Sequence, residues 1–132
     1  MTTEKKKIDP ANSNSLNSAL LARLPQLRDR YIELKRWWGP EEPGPHVVFE
    51  DVLVPYLVER LNEASEDESV TRVFDFLEEL LASGDQSARN VVGASVLEGL
   101  YEDVKSRMRT KALMRPKTRN LAAKVGRDWA VD

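Results

Sequence analysis

The dipeptide Gly84-Asp85 narrows the possible folds more than any other feature of the chain. Ahead of it, Val70, Val73, Phe74, Leu77, Leu80 and Leu81 recur at the three-and-four spacing of one helix face. Ser65, with Glu68 three residues later, forms a capping box at the start of that run. Gly84 suits the left-handed residue that closes a helix, and Asp85 offers its carboxylate as the N-cap of the next helix, which runs from Gln86 to about Leu100. Two capped helices joined by so short a turn fold back on one another as an antiparallel hairpin. The pattern predicts an all-α chain.

The remaining segments extend this reading. Leu16, Leu20, Leu24 and Leu27 repeat at helical spacing, with Pro25 marking either a kink or the first turn of a second helix that Gly39-Pro40 stops. Gly39 to His46 holds three prolines and two glycines and reads as the main interior loop. The following stretch, His46 to Val58, is rich in β-branched and aromatic residues, as strands are. Yet Leu53, Leu57 and Leu61 form one four-residue stripe and Val48, Val52 and Tyr56 another, which predicts a helix buried on several faces despite Pro55. Gly93 and Gly99 inside the second hairpin helix each cost about 1 kcal/mol against alanine, a cost that close helix packing would offset. Val104 to Met114 is basic and only loosely periodic, and Pro116 opens a last short helix carrying Leu121, Ala122, Val125 and Trp129. The expected architecture is a compact irregular bundle of five to six helices over residues 14–132, preceded by a polar, disordered tail over residues 1–13.

At 132 residues, 41% apolar and 32% charged, the chain has the balance of a single globular domain with a well-solvated surface. It contains no cysteine, which removes disulfides, thiolate nucleophiles and zinc knuckles and makes a reducing compartment the default. No apolar run approaches membrane-spanning length, and the residues after Lys5-Lys6-Lys7 are polar where a secretory signal is apolar, so a cytoplasmic protein is expected.

Charge is segregated beneath a net charge of −2. Residues 1–40 carry eight basic and four acidic residues, 41–103 three and sixteen, and 104–132 nine and two, giving +4, −13 and +7. Either the basic ends neutralise the acidic middle in three dimensions, or the middle presents an anionic patch to a cationic partner. In the second case Asp75, Glu78 and Glu79, which fall together opposite the apolar stripe, join Glu59, Glu63, Glu66, Asp67 and Glu68, with Glu98 as a further candidate. Trp37 and Trp38 cannot both point into one core, so one of them, with Trp37 the candidate, is a surface anchor of the kind common at binding hot spots, or else packs under the proline-rich loop. The basic residues Lys105, Arg107, Arg109, Lys111, Arg115, Lys117 and Arg119 have the density to neutralise phosphates, but no aromatic stacking residue lies between Tyr101 and Trp129 and there is no recognition-helix motif.

Signs of catalysis are missing from the sequence. The one histidine, His46, has no motif-bearing serine near it in sequence, no glycine-rich phosphate loop occurs, and the carboxylates lack the alternating spacing of a calcium loop. Adjacent pairs such as Glu41-Glu42 and Glu78-Glu79 are of a kind that is usually just solvated. The expectation is a binding protein with no catalytic residue, cofactor or metal.

The run from Phe74 to Leu100 resembles a segment of a family of small bacterial all-helical proteins, some of which look like immunity proteins for secreted toxins. Leu21-Ala-Arg-Leu-Pro-Gln-Leu and Phe49-Glu-Asp fit the same pattern, which covers most of residues 15–120. The helix–Gly-Asp–helix unit also resembles one HEAT-type repeat, although no second copy follows at a fixed period. The resemblance implies an immunity-type protein whose acidic helical face occludes a basic toxin domain. A scaffold or regulatory adaptor is the alternative, and nucleic-acid binding through the basic segment a third.

Overall fold

A computed structural model describes residues 13–63 and 68–125. Seven helices occur among them, and no strand: α1 (Ser13–Arg23), α2 (Arg28–Trp38), α3 (residues 45–61), α4 (Glu68–Ala82), α5 (residues 86–101), α6 (Val104–Leu113) and α7 (Pro116–Lys124). Ser65 of the expected capping box, Trp129, and the expected tail apart from Ser13 lie outside the described residues.

Pro25 ends one helix and begins the next. Leu24 leaves helical geometry at φ −127°, Pro25–Leu27 forms a single 3₁₀ turn, and α2 starts at once behind it. Leu16, Leu20, Leu24 and Leu27 are all fully buried, so one leucine stripe continues through the break. Gly39, at φ +116°, takes the chain out of α2 in a conformation that a side chain would strain. The proline-rich loop then ends one turn earlier than its composition predicts: Pro45 occupies the first turn of α3, which places His46 on a helix.

The β-branched stretch is helical through Pro55. A proline inside a helix lacks the N–H for its own bond, and its ring presses on the carbonyl four residues back. Here α3 widens into a π turn over Phe49–Leu53 just before the proline, with the Val54 N–H reaching Phe49 O, five residues back. The helix therefore continues to Leu61 instead of breaking.

Gly84 (φ +77°) closes α4, and the Asp85 carboxylate accepts from Ala88 N at 3.0 Å to cap α5. From this turn α5 runs into the middle of the molecule, where its own π segment, Val91–Leu97, packs on that of α3. The two glycines set how closely helices approach. A methyl on Gly99 would stand 2.9 Å from Val54 Cγ1, and one on Gly93 would stand 3.3 Å from Val125 Cγ1 at the end of α7. Phe49 and Phe76, with ring centroids 6.4 Å apart, join α3 to α4. Fully buried side chains of this size are each worth about 1.5–3 kcal/mol over exposed ones, and their cluster runs through every helix except α2 and α6.

Helix α6 is the element that apolar periodicity does not reveal. Its fully buried positions are Ser106 and Thr110, one turn apart, whereas Val104 and Met108 face outward and are more than half exposed. Polar contacts fix it in place. Asp103 caps it by accepting from Ser106 N at 2.9 Å, and Arg109 Nη1 donates to Leu61 O at 2.7 Å and Glu63 O at 3.1 Å, closing the C-terminal end of α3.

Candidate functional site

Asp75, Glu78 and Glu79 on α4 each find a partner inside the molecule, whereas Glu68 at the start of that helix is exposed. Asp75 pairs with Arg115 at 3.3 Å, and Glu79 pairs with Arg23. Glu78 accepts from Lys117 N at 2.7 Å, Thr118 N at 3.0 Å and Thr118 Oγ1 at 2.9 Å, so it serves the orphan amides at the start of α7. Burial pushes the Glu78 carboxyl up, but these bonds and the Lys117 charge outweigh it and hold the group below its usual range. Further along the acidic middle, Glu59 pairs with Arg30 at 2.7 Å and Glu63 with Arg60 at 3.8 Å. Glu66 and Asp67 lie outside the described residues. Glu98 is half-buried and also engaged.

The basic C-terminal residues are committed in the same way. Arg107 stacks on the Tyr101 ring 4.6 Å from its centroid, Arg109 holds the end of α3, Arg115 meets Asp75, and Arg119 donates to Met114 O at 2.7 Å. Lys111 has a partner as well. Lys105 and Lys117 are exposed, on α6 and α7 respectively. Arg23, Arg30 and Lys35 of the N-terminal part and Arg115 of the C-terminal part thus meet acids of the middle, while Arg107, Arg109 and Arg119 are spent on a ring and on carbonyls, so much of the charge pattern serves as internal fastening. Each exposed pair is worth only about 0–1 kcal/mol, yet together they tie α1 and the start of α7 to α4, and α2 to α3.

The most exposed large apolar side chain among the described residues is aromatic. Trp37 is 80% exposed and Trp38 46%, with Ile32 at 48% on the same helix. No residue of α2 is buried. The helix is held at its inner side by polar contacts: Gln26 Nε2 donates to Tyr56 Oη at 3.0 Å, Arg30 reaches Glu59, and Tyr31 Oη and Lys35 both reach Glu42. Glu42 is positioned by the proline-rich loop, which Asn17 Nδ2 ties to α1 through Pro43 O at 2.9 Å. Trp37 does not pack under that loop. Its Nε1 donates to Glu33 at 3.0 Å, which orients the ring on the outside of the helix.

The chain matches the model of a family described as a domain of unknown function, DUF7674, over residues 17–130. It belongs to that family. No curated protein and no solved structure matches it. The match takes in α1 from Asn17 onward and all the described helices after it, so every site considered above belongs to the DUF7674 domain.

One pairing in this domain was not visible in sequence. His46 Nδ1 lies 2.8 Å from Ser95 Oγ, although 49 residues separate them, because α3 and α5 meet at their π segments. The spacing is that of a base and a nucleophile. However, Ser95 is buried at 3% exposure, and no third group orients the imidazole among the described hydrogen bonds. The pair fastens the start of α3 to the middle of α5. No group of three His, Asp or Glu side chains converges to hold a metal ion among the described residues, and none of their helices is long and apolar enough to cross a membrane.

Proposed function

We propose that this DUF7674 protein is a non-catalytic protein-binding module whose contact surface is centred on Trp37 and Trp38 at the C-terminal end of α2. The observation that carries the reading is the 80% exposure of Trp37 on a helix with no buried residue. A large indole left in water next to a second one is costly surface for a free monomer and is the residue type that dominates binding hot spots. In its specific form the module is a bacterial, cytoplasmic, immunity-type protein that occludes a basic toxin domain, as the resemblance over residues 74–100 implies. Asp75, Glu78 and Glu79 then contribute less to the encounter than their row on the sequence suggests, because each is already paired. Trp37 takes over as the principal contact.

The experiment is affinity capture of partners from the source organism with the wild-type chain and with Trp37→Ala/Trp38→Ala, followed by expression of the recovered partner with and without this chain. Loss of one partner from the double variant, together with rescue of growth by the wild type, supports the immunity-type reading. Loss without toxicity or rescue assigns the same surface to an adaptor. Equal capture by both chains removes the tryptophans from the mechanism.

A further inference from the structure

One turn beyond Glu78 on the same face of α4, the last turn of that helix, the first turn of α5 and one face of α7 border a half-open cavity of about 300 Å3. Leu81, Ala82, Arg89, Lys117, Asn120, Leu121 and Lys124 line it. Lys117, Asn120 and Lys124 fall three and four residues apart and therefore share a stripe of α7, while Arg89 approaches from α5. No carboxylate is among the lining residues. Elsewhere Arg23, Arg30, Arg36 and Arg115 each meet a carboxylate. Among the described residues, the side chains of Arg89, Lys117 and Lys124 carry no hydrogen bond or ion pair, and Glu78, the acid whose charge reaches Lys117, has its oxygens occupied by the α7 amides and the Thr118 hydroxyl.

The cations are not needed to close α4 either. Ser83 N bonds to Glu79 O, Ser83 Oγ to Leu80 O at 2.6 Å and Gly84 N to Leu81 O, so three of the last four carbonyls already have donors. The walls are fixed by packing that does not involve the charged groups. Glu78 clamps the start of α7 to α4, and Leu121 and Val125 close on Gly93 of α5. A preformed concave site with a guanidinium, two ammonium groups, an amide and a leucine floor is built to attract concentrated negative charge.

We propose that this cavity binds a small phosphorylated compound, its phosphoryl oxygens held by Arg89, Lys117, Asn120 and Lys124. The size fits this class better than a nucleic-acid backbone, since about 300 Å3 is the lower end of small-molecule pockets and a duplex needs an extended stripe of cations. The basic residues that would make such a stripe along α6 are mostly bonded within the protein.

The test is a titration of the isotope-labelled full chain with inorganic pyrophosphate, followed by NMR at the Asn120 side-chain amide and the Arg89 Nε–H. Saturable shifts at these groups with a dissociation constant of about 1 mM or lower are expected. Lys124→Ala, an exposed change at the end of α7, should weaken binding roughly tenfold, and Arg89→Gln at least as much, while Lys105→Ala on α6 should leave it unchanged. Non-saturating shifts spread over every surface lysine would overturn the proposal, as would equal weakening by Lys105→Ala. Tighter, steeply salt-dependent binding of a DNA or RNA oligonucleotide through the same residues would replace it with the nucleic-acid reading.

Discussion

Helices α2 and α5 stand at opposite ends of the range of burial, and they are held by different physics. α5 buries Val91, Val92, Val96, Leu97 and Leu100 around its circumference, admits neighbouring helices at Gly93 and Gly99, and exposes little beyond Asn90 and Ala94 in its middle. α2 has no fully buried residue: Tyr31 and Leu34 rest half-buried against the core, and Arg30, Tyr31 and Lys35 tether the helix to carboxylates on α3 and the proline-rich loop. The first helix is fixed by volume, which tolerates no change of shape; the second is fixed by a few polar contacts on its inner side and leaves its outer side free to vary. A binding surface placed on α2 therefore costs the fold little, whereas one placed on α5 would disturb packing throughout.

The largest effects should follow from changing volume at the α3–α5 contact. Phe49→Ala removes a fully buried ring that stacks on Phe76 and should cost about 3–5 kcal/mol, measured as a fall in the urea midpoint at constant slope. Gly99→Ala sets two terms against each other. Helix propensity favours alanine by about 1 kcal/mol, while a methyl 2.9 Å from Val54 Cγ1 forces a shift of a branched side chain that cannot swing clear. Overpacking of this kind costs about 1–3 kcal/mol, so a net loss is expected. Gly93→Ala, at 3.3 Å from Val125, should come out closer to neutral. A clearly stabilised Gly99→Ala would refute the close approach as the reason for a glycine there.

The same contrast explains which parts of the fold were legible in sequence. The α4–α5 hairpin, the leucine stripe of α1 and the helix through Pro55 were readable because their inward faces are apolar, and the hairpin also because Gly84 and Asp85 cap its turn. Helix α6 was not, since its pattern is inverted: Ser106 and Thr110 point inward, and the apolar Val104 and Met108 point out. Five to six helices were expected for this reason where seven occur among the described residues. The charge segregation was legible, but its resolution was not, because the pairs Arg23–Glu79 and Asp75–Arg115 join residues that only the packed structure brings together. His46 and Ser95 were hidden by the same sequence distance.

A smaller effect belongs to the fastening of α7. Glu78→Gln keeps the shape but replaces a carboxylate facing two amides and a hydroxyl with a neutral amide, and should cost about 1 kcal/mol, the usual scale of a helix N-cap. The folded Glu78 carboxyl titrates below its ordinary value of 4.5, and that of Asp103 below 3.8, the latter held down first by the Asn62 hydrogen bond and then by Ser106. A carboxyl lowered in the folded state stabilises fully above its ordinary value and loses that contribution as pH falls through the folded one. Stability should therefore decline below about pH 4.5, and the decline should be shallower in Glu78→Gln than in the wild type. An identical acid limb in the two chains would show that Glu78 does not hold α7.

The smallest effect on the fold should come from Trp37→Ala. The ring is 80% exposed, its one hydrogen bond goes to Glu33 on the same helix, and no core side chain rests on it. Loss of that bond is offset by the better helix propensity of alanine, so unfolding in urea should stay within about 0.5 kcal/mol of wild type. Val104→Ala on α6, where the side chain is 59% exposed, is the control for removing apolar surface. If Trp37 has a binding role, its variant keeps the fold and loses the captured partner, and the Val104 variant keeps both. A drop of 2 kcal/mol or more in Trp37→Ala, flagged against the usual range of about 0.5 kcal/mol for surface changes, would instead show that the indole supports α2. The contrast between a helix fixed by volume and one left free for contact would then fail at its most exposed residue.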